Sequence, residues 1–216
     1  MTLPFPLAEA PDPASGEAGR RLFAGGAAFL KGVVAMDGLP PSDRVEVCFA
    51  GRSNVGKSSL INALTGTRGL ARASNTPGRT QEINYFTLGA SHYLVDLPGY
   101  GFAKAPKPVV ERWQRLMKAY LSGRPSLRRA FLLIDARHGI KPVDGEIMAL
   151  LDRAAVPFQT VLTKADKVKA AERAAVLDQV RAALQPHPAA FPELVRTSAE
   201  TGDGIATLRA IIATLD

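Results

Sequence analysis

The residues Gly51-Arg52-Ser53-Asn54-Val55-Gly56-Lys57-Ser58 fit the phosphate-binding pattern G-x-x-x-x-G-K-[ST] without a mismatch. Gly51 and Gly56 let backbone N–H groups turn towards phosphate oxygens with no Cβ in the way. The helix behind them adds the partial positive charge of its N-terminus. Lys57 then reaches the β- and γ-phosphates and the Ser58 hydroxyl ligates Mg²⁺, while Arg52, Ser53, Asn54, Val55 and Ser59 complete the contact surface. The flanks agree: 45–50 is apolar enough for a buried strand, and 59–64 reads as a helix. The plain alternative, a glycine-rich turn that binds nothing, does not require strand and helix on its two sides.

Three further stretches carry the chemistry such a loop needs. Asp96-Leu97-Pro98-Gly99 places a carboxylate at a strand end, in reach of Mg²⁺ through a water, and Gly99 brings a backbone N–H close to the γ-phosphate. D-x-x-G alone is a weak signal, but thirty-eight residues after Ser58 and at a strand end it is a strong one. Thr163-Lys164-Ala165-Asp166 fits [NT]-K-x-D: the Asp166 carboxylate accepts from guanine N1–H and the 2-amino group together, donors that adenine lacks. Lys164 lies along the ring, and Ser198-Ala199-Glu200, with Thr197 before them, adds a backbone contact to the guanine oxygen. In Thr76-Pro77-Gly78-Arg79-Thr80 a hydroxyl completes the Mg²⁺ shell while the γ-phosphate is present and lets go after hydrolysis. Thr80 is the first choice because it lies nearest the next strand, and Thr76 is the alternative; Gly78, Arg79, Gln81 and Glu82 count as nucleotide contacts. Lys57, Thr80 and Gly99 form the expected catalytic set, and Ser58, Thr80 and Asp96 the metal set.

These motifs must stand at the ends of strands. After 45–50 and its helix, 67–81 is too polar for a core element and reads as a mobile loop. The runs 82–88 and 91–96, parted by Gly89-Ala90, form a hairpin. Helices are expected over 108–121, 143–154, 170–184 and 205–215, and strands over 127–135, 158–163 and 194–197. That alternation predicts an α/β fold: a mostly parallel six-stranded sheet, one antiparallel strand, and helices on both faces. Residues 1–40 read as a partly flexible N-terminal arm, loose over 1–16, with a helix over 17–34 broken at Gly25-Gly26 and packing through Leu22, Phe23, Phe29 and Leu30; 41–216 form the nucleotide-binding domain.

With 46% hydrophobic and 22% charged residues the 216-residue chain suits a soluble domain. Its one cysteine, Cys48, allows no intrachain disulfide and reads as a buried thiol. No apolar run reaches the ~20 residues of a membrane span, and the first residues lack a signal peptide's pattern, so a cytoplasmic protein is expected, a monomer by default. His92, His138 and His187 lack metal-ligand spacing. The net charge of +7 points to polyanionic company. It is concentrated: between 101 and 130, Lys104, Lys107, Arg112, Arg115, Lys118, Arg124, Arg128 and Arg129 face only Glu111, an excess equal to that of the whole chain. That segment is either an RNA-backbone surface, with Trp113 and Tyr120 to stack or pack, or a solvated helix face.

The series GRSNVGKSSLIN, TPGRTQEINYF, DLPGYGFA, TKADK and SAETGDG resembles the EngB (YihA/YsxC-type) bacterial GTP-binding proteins of the Era-like (TrmE-Era-EngA-EngB-septin) superfamily, from about residue 46 to the C-terminus. The resemblance implies a Ras-like G domain with GTP and Mg²⁺, a role in maturation of the large (50S) ribosomal subunit, and a requirement for normal cell division and septation.

Many signalling GTPases carry Gln directly after D-x-x-G to orient the attacking water; here that residue is Tyr100. A phenol does not hold water as a carboxamide does, so slow intrinsic hydrolysis, ~10⁻⁴ to 10⁻² s⁻¹, is expected. Two accelerators are open: K⁺ held by Asn54 against the β,γ bridge, with a local helix-entry role for Asn54 as the rival, and the ribosomal particle itself. Arg79 acts in cis or contacts phosphate or RNA. Two other function classes compete with a GTPase switch: a division-machinery binding module with GTP as a structural ligand, and a P-loop ATPase or kinase, which Asp166 disfavours.

Overall fold

In the computed structural model the structure describes residues 5–72, 82–101 and 107–216, with the backbone alone for 107–110 and 113. The P-loop strand β2 (Val45–Gly51) runs parallel between β4 (His92–Asp96) and β5 (Leu127–Asp135), and β6 (Phe158–Thr163) and β7 (Val195–Arg196) continue the sheet on the β5 side. On the other side β3 (Ile83–Leu88) pairs antiparallel with β4 through the Gly89-Ala90 turn, as expected. Among the described residues the sheet has seven strands rather than six, in the order β1-β3-β4-β2-β5-β6-β7, because β1 (Ala27–Val33) pairs antiparallel with β3 at the edge. Of these seven, only β3 therefore runs against the rest.

Among the described residues, six helices cover both faces. Helices α3 (Lys107–Gly123), α4 (Pro142–Arg153) and α5 (Arg173–Leu184) bury their apolar stripes on one face, and α1 (Pro13–Ala24), α2 (Lys57–Thr65) and α6 (Ile205–Ala213) on the other. Central strands feed both cores: Ala130, Leu132 and Ile134 face one, Phe131 and Leu133 the other. This double burial is why β5 reads as an unbroken apolar run. Cys48 is buried, and burial pushes its thiol pKa up, away from reactivity.

The N-terminal residues depart most from expectation. The helix expected over 17–34 starts earlier and ends at Ala24: Asp12 Oδ1 caps Ala14 N–H at 2.9 Å and Ser15 N–H at 3.1 Å, Pro13 opens the helix, and Gly25-Gly26 close it. Beyond the glycine pair the chain becomes β1, because the open edge of the β3–β4 hairpin offers these seven residues a hydrogen-bonding ladder. Phe23 is buried as expected, whereas Phe29 and Leu30 are 55% and 42% exposed. Residues 5–16 are not a loose arm. Phe5 is buried, Leu7 bridges Leu194, and Ala8 N–H donates to Leu194 O at 2.7 Å. From there α1 packs along α6, so residues 5–33 strap the domain from the β7 edge to the β3 edge.

Candidate nucleotide site

All parallel strands end on the same side of the sheet, and the motifs sit at those ends. Between β2 and α2 the loop turns through two left-handed residues, Asn54 (φ 62°) and Gly56 (φ 104°). Asn tolerates that region better than most side chains; at Gly56 a Cβ would also lie 3.4 Å from Lys164 Cε. Ser58 follows Lys57 in the first turn of α2, and Asn54 and Ser59 are exposed. The register Phe49↔Asp96 brings the end of β4 beside the loop, where Lys57 Nζ contacts Asp96 Oδ1 directly. The ammonium expected to meet phosphate and the carboxylate expected to meet the metal thus lie side by side. A serine hydroxyl and a carboxylate are hard oxygen donors, the kind that hold Mg²⁺ together with substrate phosphates and water rather than in an all-protein cage.

The 163–166 motif is laced to the P-loop. Lys164, itself left-handed at φ 57°, donates from Nζ to Asn54 O at 2.6 Å, and Thr163 Oγ1 donates to Val55 O at 2.6 Å. Ala165 N–H donates to Thr197 O at 3.1 Å, which joins the 163–166 motif to the loop after β7. Ser198 Oγ donates to Asp166 Oδ1 at 2.7 Å and accepts from Thr201 N–H at 3.1 Å. The Ser198 hydroxyl, with Lys167 beside it, holds the Asp166 carboxyl below its usual pKa. Ala199 and Glu200 lie exposed in the same turn.

Two groups of residues were missing from the expected set. Asp135, at the end of β5, holds Lys164 Nζ at 3.0 Å and accepts from Arg137 Nε and Nη2 at 3.0 and 2.7 Å. Burial opposes its charge, but the Arg137 and Lys164 cations outweigh it and keep its pKa well below the carboxylate range. An apolar strand ending in Asp, as β4 does, was the available signal. The second is Asp144 in the first turn of α4. Tyr100 is 2% exposed and donates its hydroxyl to Asp144 Oδ1 at 2.8 Å, so the phenol after D-x-x-G points into the protein. Burial, then the Asp144 charge, raises its pKa well above the usual phenol value.

Thr76, Pro77, Gly78, Arg79, Thr80 and Gln81 lie outside the described residues, as do Phe102 and Lys104 and the side chains of Lys107 and Trp113. Glu82, just before β3, has its carboxylate against Gly32 of β1. The basic segment also divides. Arg124 turns inward to Glu46, and Arg129 stacks on Phe191 at 3.9 Å and donates to Gln159 Oε1 at 3.0 Å. Tyr120 is fully buried, so it packs rather than stacks on a base. Arg112, Arg115 and Lys118 remain as an exposed stripe on α3, and Arg128 is exposed near the C-terminus.

Fold and site together define a P-loop guanine-nucleotide-binding domain of the Ras-like class. The family model described as "50S ribosome-binding GTPase" matches residues 46–164, and one described as "Elongation factor Tu GTP binding domain" matches 121–215. A "Probable GTP-binding protein EngB" of Ruegeria sp. (strain TM1040) is 75% identical over 216 residues, covering 100% of each chain. The crystal structure of a probable GTP-binding protein engB is similar at TM-score 0.62 and 28% identity, covering 78% of this chain and 98% of that one. That of Era in complex with MgGDPNP and nucleotides 1506-1542 of 16S ribosomal RNA is similar at TM-score 0.60 and 25% identity, covering 81% and 57%. The chain belongs to the EngB family of GTP-binding proteins, within the Era-like GTPases.

Proposed function

We propose that this chain is a Mg²⁺-dependent GTPase that turns over slowly on its own and acts in the cytoplasm as a switch on the large ribosomal subunit or its precursor. The buried Tyr100 carries the reading: at the place where a water-orienting carboxamide would stand, the side chain is tied to Asp144 inside the protein. Binding rests on the P-loop residues Gly51 to Ser59, with Lys57 on the terminal phosphates, and on Lys164, Asp166 and Ser198 around the base. Asp166 stays ionised at neutral pH and so remains an acceptor for both guanine donors. Ser58 and Asp96, with Thr80, would hold Mg²⁺, which when bound neutralises charge on the β- and γ-phosphate oxygens. Gly99 supplies a backbone N–H to the terminal phosphate. K⁺ held by Asn54 is a candidate accelerator, favoured by that side chain's exposure beside the loop.

Arg112, Arg115 and Lys118 support an RNA partner, as does the ribosome named in the family model's description. Three phosphate contacts would give a logarithmic salt slope of about −2 to −3. Normal division and septation would then depend on the chain through the supply of large subunits.

The test is mant-GDP and mant-GTP binding with single-turnover hydrolysis, in K⁺ and in Na⁺, with and without large subunits at graded salt. The expected result is preferential binding of the GTP form to subunits and faster hydrolysis on them. If subunits change neither rate nor affinity, the ribosomal switch fails and a division-machinery module with GTP as a structural ligand replaces it.

A further inference from the structure

Asp144 belongs to none of the nucleotide motifs, and its side chain is fully buried. A carboxylate is stable there only if its oxygens are occupied. Oδ2 accepts from Lys141 N–H at 2.8 Å, a local bond that caps α4. The other contacts leave the helix. Oδ1 accepts from the Tyr100 hydroxyl at 2.8 Å, and Oδ2 faces Arg52 Nε at 3.2 Å, at ion-pair distance but off the line of a hydrogen bond. Arg52 is the second residue of the P-loop, and Tyr100 follows D-x-x-G directly. One carboxylate therefore holds both loops that meet the terminal phosphate.

Main chain joins the same two loops. Ser53 N–H donates to Tyr100 O at 3.0 Å, and Tyr100 N–H donates to Gly51 O at 3.3 Å. Gly99 is drawn in so closely that a Cβ on it would lie 3.1 Å from Ser53 Oγ. Arg52 is fixed from a second side, since its Nη2 donates to Gly139 O at 3.3 Å. The place of Gly99 relative to the P-loop thus depends on where Tyr100 and Arg52 are held, and Asp144 is the group they share.

We propose that Asp144 is a positioning residue for GTP hydrolysis: through Tyr100 and Arg52 it fixes Gly99 against the P-loop and so sets the site of the terminal phosphate. This rests on the GTPase reading. The rival role, a helix cap and nothing more, acts on folding alone and does not discriminate between GDP and GTP. A phosphate-positioning role does, because GDP lacks the phosphate that Gly99 meets.

Two variants separate these roles. Tyr100→Phe removes one hydroxyl and leaves ring, cap and charge in place. Asp144→Asn keeps an oxygen for Lys141 N–H but removes the charge facing Arg52. Mant-GDP and mant-GTP affinities and single-turnover hydrolysis are measured for both beside the wild type, with thermal unfolding as the check on folding. The expected result is GDP affinity within about twofold of wild type and a roughly tenfold fall in GTP affinity or hydrolysis rate, the worth of one hydrogen bond to a charged acceptor. Equal losses for GDP and GTP, or no change in folded variants, overturn the proposal while leaving the GTPase reading intact. A wild-type chain that binds neither nucleotide overturns both. If Asp144→Asn fails to fold, Tyr100→Phe decides alone.

Discussion

Replacing Arg124 by methionine tests what anchors α3, the helix that carries the exposed basic stripe. Arg124 lies just beyond α3 with its side chain 7% exposed, and its partner Glu46, near the start of β2, is 0% exposed. Glu46 Oε1 accepts from Arg124 Nε at 2.8 Å and Ser126 Oγ at 3.0 Å, and also contacts Arg124 Nη2. Oε2 accepts from the hydroxyls of Tyr85 and Tyr120, each at 3.1 Å. Arg124 Nη2 further donates to Pro40 O at 2.8 Å and Pro41 O at 3.1 Å. The Glu46–Arg124 pair therefore ties together β2, β3, α3 and the segment before β2.

Methionine fills the space of the arginine stem but leaves a buried carboxylate without its countercharge. Removing one member of a buried pair costs ~3–5 kcal/mol. Three hydroxyls continue to solvate Glu46, which favours the lower end, about 3 kcal/mol. For a chain of this size each kcal/mol moves the melting midpoint by roughly 2–4 °C, so a drop of about 6–12 °C is expected. In the double variant Glu46→Gln/Arg124→Met an amide oxygen still serves the hydroxyls and no lone charge is buried. It should therefore be more stable than Arg124→Met alone, a coupling that thermal and urea unfolding of the four proteins measures. The pair lies roughly 15 Å along β2 from the P-loop at 3.3 Å per residue, so mant-GDP affinity should not change. A loss below about 1 kcal/mol for Arg124→Met, or strictly additive effects, would refute the assignment of Glu46–Arg124 as the anchor.

Asp166→Ala removes the acceptor for two guanine donors, each bond worth ~1.5–3 kcal/mol, so GTP affinity should fall at least about 100-fold. In nucleotide competition the preference over ATP should vanish; retained selectivity would show that the base is read elsewhere. Phe23→Ala tests the strap: with Phe23 buried against the α6 side of the domain and Arg209 over its ring at 5.3 Å, a loss of ~3 kcal/mol in urea unfolding is expected, against none for a loose arm. Burial lowers the pKa of His92, whose Nδ1 lies 2.8 Å from Ser91 Oγ, although the Leu215 and Ile212 carbonyls partly offset this. The unfolded chain thus takes up a proton the folded one refuses, and stability falls as pH drops below the unfolded value of about 6.5. His92→Gln should flatten urea midpoints between about pH 5 and pH 7, and a steeper profile in the variant would contradict that sign.

The nucleotide motifs could be read from sequence because each is local and its spacing follows from strand ends. Gly51 to Ser58 needs only the strand before it and the helix after it, and Asp96 and Asp166 each close an apolar run. What sequence does not carry is the direction a side chain takes once distant segments meet. The run AAFLKGV has no alternation and one β-branched residue, and it is a strand because the β3 edge lies open beside it. Arg124 and Arg129 count as surface charge until β2 and β6 present Glu46 and Gln159 to them. Asp144 is indistinguishable along the chain from any acidic residue in a first helical turn; only its meeting with Tyr100 across 44 positions gives it a second role. The same contact changes what Tyr100 means. Along the chain it marks a missing carboxamide, whereas in the fold it fastens the D-x-x-G loop to α4. On the proposed reading the missing carboxamide and the ordered site for the terminal phosphate are two consequences of one residue, and Tyr100→Phe, which restores no carboxamide, removes only the tie to α4.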